Sequence, residues 1–132
     1  MVRDYHTYDH LPFDAAVVRP ILETVIDHDA VGRLFLIESD AGVIGYVLLG
    51  FGFSIEYLGR DGWIDEFFIA EPWRGRGAGR QVLALLRDQA LALGIRTLHL
   101  EVTRRNTRVQ RLYAEAGFAD HDRTLMTWWE DQ

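Results

Sequence analysis

Residues 74 to 79 read Arg-Gly-Arg-Gly-Ala-Gly, between an apolar run from Trp63 to Ala70 and a helical pattern from Gln81 to Leu93. Glycines permit positive φ and close backbone approach, and the unpaired N–H groups of a helix's first turn carry positive charge outward. That order builds an anion cradle: Gly75, Gly77, Ala78 and Gly79 supply backbone, while Arg74, Arg76 and Arg80 supply countercharge. The ligand it implies carries a pyrophosphate. A P-loop is excluded, because that motif needs a lysine and the chain has none. A dinucleotide fingerprint is excluded too, since the glycines alternate and the loop lies past mid-chain. Just upstream, Asp65 and Glu66 stand side by side in the apolar run. Charge in a central strand is costly unless it is paired or lines a cavity, so the pair is a candidate for proton chemistry, with a salt bridge to an arginine as the plainer reading. Strand alternation sends the two acids to opposite faces unless a bulge intervenes.

The elements that must hold these groups follow from periodicity. Pro12 to His28 predicts one or two short helices, with Pro20 at a first helical position and Ile21, Leu22, Val25 and Ile26 as the apolar stripe. Arg33 to Glu38 reads as a strand and Asp40-Ala41-Gly42 as a tight turn. Val43 to Tyr57 reads as a long strand bent near Gly50 or Gly52. Gly59 to Gly62 is expected to turn the chain, and Trp63 to Ala70 to form a central strand. The helix behind the glycine loop is expected to bury Val82, Leu85, Leu86, Ala90 and Leu93 and to stop at Gly94. Thr97 to Thr103 alternates as a strand. Asn106 can cap a helix whose stripe is Val109, Leu112, Tyr113 and Ala116, closed by Gly117. Arg123 to Glu130 reads as a last strand. Hairpins first and a strand-helix-strand-helix-strand unit later give an α/β fold with a mixed sheet, as one domain over residues 1–132.

The second half resembles the GCN5-related N-acetyltransferase (GNAT) superfamily. Arg74, Gly77 and Gly79 match its Arg/Gln-x-x-Gly-x-Gly/Ala loop, and Asn106, Tyr113, Gly117 and Phe118 match its Asn-x-x-Ala-x-x-x-Tyr-x-x-x-Gly-Phe helix, with Val109 in place of the usual small residue. The likeness spans roughly residues 33 to 129 and implies a three-layer acyl-CoA N-acyltransferase fold. Only about 32 residues precede Arg33, so the family's opening strand is expected to be absent or shortened. Asp65-Glu66-Phe67-Phe68-Ile69 is similar to the central strand of spermidine/spermine acetyltransferases.

The resemblance implies acetyl-CoA as donor and a primary amine as acceptor, either a small cation such as a polyamine or aminoglycoside or a protein amine. A non-catalytic acyl-CoA sensor is the reading from another class. An alkylammonium must lose a proton before it attacks a thioester, which gives Asp65, or Glu66 in its place, the part of base. Backbone at Phe67, Phe68 and Ile69 would hold the pantetheine and the thioester carbonyl, with Glu101 and Asn106 also placed toward the cofactor. His99 and Leu100 would line the same channel. Tyr113 would protonate the departing thiolate, a core phenol being its plainer reading. Arg104, Arg105, Arg108 and Arg111 either reach the cofactor's 3′-phosphate or cover a solvated helix face. Glu56, Asp61 and Asp65 with Tyr46, Phe51, Phe53 and Tyr57 form a conceivable acidic, aromatic acceptor pocket.

Composition sets the remaining bounds. The chain has 132 residues, 48% of them hydrophobic, with no cysteine and no membrane-spanning or signal-like run. Without cysteine there is no disulfide or covalent thiol relay, and acyl transfer is expected to be direct. His6 and His10 share a helical spacing in a polar leader, and no metal is assigned. Net charge is −6, with 4 arginines against 12 acids in residues 1–66 and 10 against 8 in residues 67–132. An acidic first half disfavours nucleic acid and suits a cationic acceptor. A cytoplasmic protein is expected, and Trp128-Trp129 suggest a homodimer that covers an exposed sheet edge.

Overall fold

The structure is a computed structural model that describes residues 1–130. The chain falls into two compact units, the first from Met1 to Glu101 and the second from Val102 onward.

The first unit begins with α1 (Val2–Tyr8) and α2 (Ala15–Asp27). Asp14 starts α2 by accepting a hydrogen bond from the Ala16 amide, at 2.9 Å. Pro20 therefore lies inside this helix and not at its start, where it was expected. Two helices precede the first strand. α2 packs against β1, with Leu22 and Val25 half-buried while Ile21 and Ile26 of the expected stripe stay exposed.

A four-stranded sheet follows in the order β1 (Gly32–Ser39), β2 (Gly42–Ser54), β3 (Gly59–Ile69), β4 (Leu98–His99). The first three strands are antiparallel neighbours and β4 runs parallel to β3. The sheet is thus mixed. The turn between β2 and β3 falls at residues 55–58, with Leu58 at φ 65°, so Gly59 to Gly62 lie in β3 and do not turn the chain as expected. Gly62 serves close packing instead: a Cβ there would press on Leu98, Leu49 and Ile95.

The register sorts the strands into two faces. Val47, Leu49 and Phe51 of β2 pair with Phe67, Ile64 and Gly62 of β3 on one face, whereas Tyr46, Leu48, Gly50 and Gly52 pair with Phe68, Glu66, Trp63 and Asp61 on the other. α3 (Ala78–Ala92) packs against β3. Its buried residues are Leu83, Leu86 and Ala90, and Ile95 beyond it is 1% exposed. Leu83 joins this core although Leu85 was expected there; Leu85 is 64% exposed.

β4 is far shorter than the strand expected over Thr97 to Thr103. It leaves β3 after Trp63↔His99, and without a ladder partner the alternating residues beyond it cannot form strand.

The second unit contains α4 (Thr107–Glu115). Asn106 Oδ1 accepts from the Val109 amide at 3.2 Å as its cap, and Gly117 has φ 99° just past its end. The strand expected over Arg123 to Glu130 is not formed: this stretch has no regular element, and Leu125, Met126, Trp128 and Trp129 are exposed. Apolar alternation without a paired edge does not make a strand. The final two residues of the expected domain lie outside the described residues.

Candidate active site

The glycine loop joins β3 to α3 through a single 3₁₀ turn, Glu71–Trp73. Gly75 and Gly77 have φ of 72° and 80°, a region costly for residues with a Cβ. Gly77 is the N-cap of α3, and no side chain caps that helix. A glycine N-cap offers the first turn of α3 no capping side chain, and nothing stands within 4 Å of a Cβ built on Gly77. Gly79 is helical. An open, uncapped helix start fits a diphosphate.

The arginines divide. Arg74 Nε donates to the Ile69 carbonyl at 2.6 Å, and its guanidinium lies over the rings of Tyr8 and Phe68 at 4.7 and 5.3 Å. This arginine anchors the end of β3 as well as flanking the loop. Arg76 lies 5.7 Å over Trp73, and Arg76 and Arg80 are exposed.

Beyond Trp63, β3 has no ladder partner on its β4 side among the described residues. The Gly62 amide donates to Thr97 O on that side, and the Ala70 amide donates to Ile44 O on the β2 side. Pairing jumps from Leu48↔Glu66 to Leu49↔Ile64, which leaves Asp65 as the extra residue of a bulge. Counting by alternation from both anchors, Phe67 and Ile69 direct their amides to the open edge, while Phe68 points its amide to β2. Of the three backbone donors expected, two face the opening. The third contributes its ring, 5.9 Å from that of Tyr46.

The two acids have different surroundings. Asp65, at the bulge, is exposed. Glu66 is enclosed: Tyr46 donates its hydroxyl to Oε1 at 2.8 Å, and His6 Nε2 meets Oε2 at 2.7 Å. His6 Nδ1 lies 2.9 Å from the Pro12 carbonyl. Carbonyl and carboxylate oxygens only accept, so an ionised Glu66 requires His6 to carry hydrogen on both nitrogens. Burial alone would lower the His6 pKa, but the Pro12 carbonyl, the Glu66 carboxylate and the charge of Asp65 together raise it above its ordinary value. Burial and the Glu66 carboxylate also push the Tyr46 phenol well above its usual range, keeping it a donor. Sequence reasoning placed His6 in a polar leader. Only its spacing on a helix hinted otherwise, since its partner is 60 residues away.

The remaining candidates are dispersed. Phe51 and Phe53 share the face opposite Tyr46 and Asp61, so the conceivable acceptor pocket does not gather all its expected walls. Asp61 is instead buried beside His99, with Oδ2 and Nε2 3.1 Å apart. Glu101 is exposed. In the second unit Tyr113 is half-buried with its ring 5.9 Å from Phe118, Asn106 caps α4, and Arg104, Arg105, Arg108 and Arg111 are exposed.

Residues 2–118 match the Acetyltransferase (GNAT) family. The chain belongs to that family. It is 37% identical over 67 residues to the uncharacterized N-acetyltransferase YycN of Bacillus subtilis, a match covering 51% of this chain and 43% of that protein. Against the spermine/spermidine N(1)-acetyltransferase of the same organism it is 28% identical over 82 residues, covering 60% and 54%. Among solved structures, an integron cassette protein from the mobile metagenome of Cole Harbour Salt Marsh superposes with a TM-score of 0.84 at 26% identity, covering 98% of this chain and 80% of that one. The chain spans about half the length of the first curated relatives it matches. The open edge of β3 and the uncapped α3 are thus features of a GNAT chain.

Proposed function

We propose that the protein is an N-acetyltransferase that moves an acetyl group directly from acetyl-CoA to the primary amine of a small cationic molecule, with a polyamine as the favoured class. One observation carries this reading: among the described residues, a β3 edge without a ladder partner runs from the β3–β4 vertex toward a positive-φ glycine loop and a helix start with a glycine N-cap. Diphosphate on the amides after Gly77, with Arg74, Arg76 and Arg80 nearby, aligns the extended arm of the donor along Phe67 and Ile69. The acidic first half and the similarity to a spermine/spermidine acetyltransferase support a cationic acceptor.

In this mechanism Asp65, exposed at the bulge, draws the ammonium group and removes its first proton directly or through water. The neutral nitrogen attacks the thioester carbon, and the bared amides stabilise the resulting oxyanion. Glu66 is held by Tyr46 and His6, so its part is to fix the sheet under the bulge. Tyr113, the motif tyrosine of α4, is the residue this reading assigns to protonating the departing sulfur. A homodimer, with Trp128 and Trp129 in its contact, is the assembly this reading favours.

The test is release of free thiol from acetyl-CoA with polyamines, aminoglycosides, amino acids and peptides as acceptors. Turnover confined to polyamines and similar cations supports the proposal. Turnover of peptides alone replaces the acceptor class, and the absence of any affinity for coenzyme A in calorimetry removes the enzymatic reading.

A further inference from the structure

At the vertex where β3 and β4 part, Asp61 and His99 form a second polar pair. Asp61 is 5% exposed, and its Oδ1 has no hydrogen-bond partner among the described residues. Room for that oxygen exists because the cross-strand neighbour is Gly52; a Cβ there would collide with Oδ1. A buried carboxylate oxygen without a partner is costly, and an apolar residue would fill the same place more favourably. Packing alone therefore does not explain Asp61. Its polar partner does.

Asp61 Oδ2 lies 3.1 Å from His99 Nε2. A carboxylate accepts only, so the shared hydrogen sits on Nε2 and the lone pair of a neutral ring falls on Nδ1. The ring is clamped: Tyr57 lies edge-on with centroids 4.5 Å apart, and Trp63 lies against it at 4.9 Å. Among the described residues, the titratable groups in contact with the ring are Asp61 from β3 and Tyr57 from the β2–β3 turn. His99 is also the last β4 residue paired to β3, at Trp63↔His99. It thus marks one end of the open edge, and the glycine loop lies past the other. A donor held by its diphosphate at the loop brings its acyl end toward the vertex.

We infer that Asp61 and His99 form a proton-accepting dyad for the acyl-transfer step, with His99 as a catalytic residue and Asp61 as the positioning residue behind it. The inference rests on the acetyl-transfer reading. Attack by the neutral amine forms the C–N bond and leaves a tetrahedral carbon bearing O⁻ and a positively charged nitrogen. That nitrogen carries one proton more than the amide will keep. His99 Nδ1 takes it, and Asp61 stabilises the imidazolium. The oxyanion then re-forms the carbonyl, the C–S bond breaks, and the thiolate receives a proton from Tyr113, which regains one from water. His99 and Asp65 each return a proton to water. The balance is ammonium plus thioester giving amide, thiol and one released proton.

The experiment has a spectroscopic and a kinetic arm, both on the full chain. In ¹⁵N-histidine spectra of the wild type, His99 should show the Nε2–H tautomer, and Asp61→Asn should shift it toward Nδ1–H. Kinetically, His99→Gln should lower kcat about 100-fold while KM for acetyl-CoA stays within about twofold. It should also change the shape of the kcat profile against pH. Asp61→Asn should act in the same direction at unchanged KM, with the double variant no worse than the worse single one. Thermal melting of each variant reports its folding. A His99 ring that averages both tautomers in the wild type, or a folded His99→Gln protein with wild-type kcat and pH profile, overturns the inference. If the wild type acetylates no amine, the acetyl-transfer reading fails on its own, and the spectrum alone then decides whether Asp61 orients His99.

Discussion

At the scale of single residues, the fate of the two adjacent acids shows how environment assigns roles to like groups. Glu66 accepts from Tyr46 and meets His6 on its other oxygen, whereas Asp65 is exposed on the extra residue of a bulge. Asp65→Asn is expected to reduce turnover most below the acceptor's own pKa, where a base is needed; a loss uniform across pH and confined to acceptor KM would make Asp65 a binding group. Tyr113→Phe should lower kcat by about 100-fold at unchanged affinity for coenzyme A, read by steady-state kinetics beside calorimetry. The His6–Glu66 pair links stability to pH. Its folded-state His6 pKa is raised above the ordinary 6.5, so the contribution is fully present below that value and fades as pH rises through the raised one. The melting-temperature advantage of wild type over His6→Gln should therefore be largest in mild acid and shrink on the alkaline side. An advantage that grew with pH would contradict the doubly donating ring.

Elements show where local signals suffice and where they do not. The cap at Asn106 and the positive-φ glycines beside both helix ends were legible, because capping and left-handed backbone depend on residues a few positions apart. Asn106→Ala should cost about 1 kcal/mol, measurable by urea unfolding if the second unit unfolds with the first. Gly77→Val should cost about 1–2 kcal/mol through its backbone conformation and should weaken coenzyme A binding beyond that, since the new side chain intrudes on the uncapped amides. Calorimetry with the diphosphate donor separates the two effects. Strand ends were less legible. Gly59 to Gly62 looked like a turn and instead lie in β3, because Gly62 allows Leu98, Leu49 and Ile95 to close in. The stretch from Arg123 alternates, yet no ladder receives it.

For the whole molecule, charge is the property that acts at range. With 12 acids against 4 arginines in residues 1–66, the KM of a cationic acceptor should rise with ionic strength while kcat changes little. A KM indifferent to salt would point to recognition by shape and aromatic contact. Sedimentation at several concentrations tests the proposed dimer, which a concentration-independent monomer would exclude. The sequence by itself determined the family, the glycine loop, the order of most elements and the tyrosine motif, because each is written in short-range spacing that the backbone must obey. Tertiary structure alone decided what Glu66 meets, where the bulge falls, which amides line the open edge, and that Asp61 lies against His99. Those partners are 60 and 38 residues apart along the chain, and only the strand register and the docking of α1 bring them within hydrogen-bonding reach.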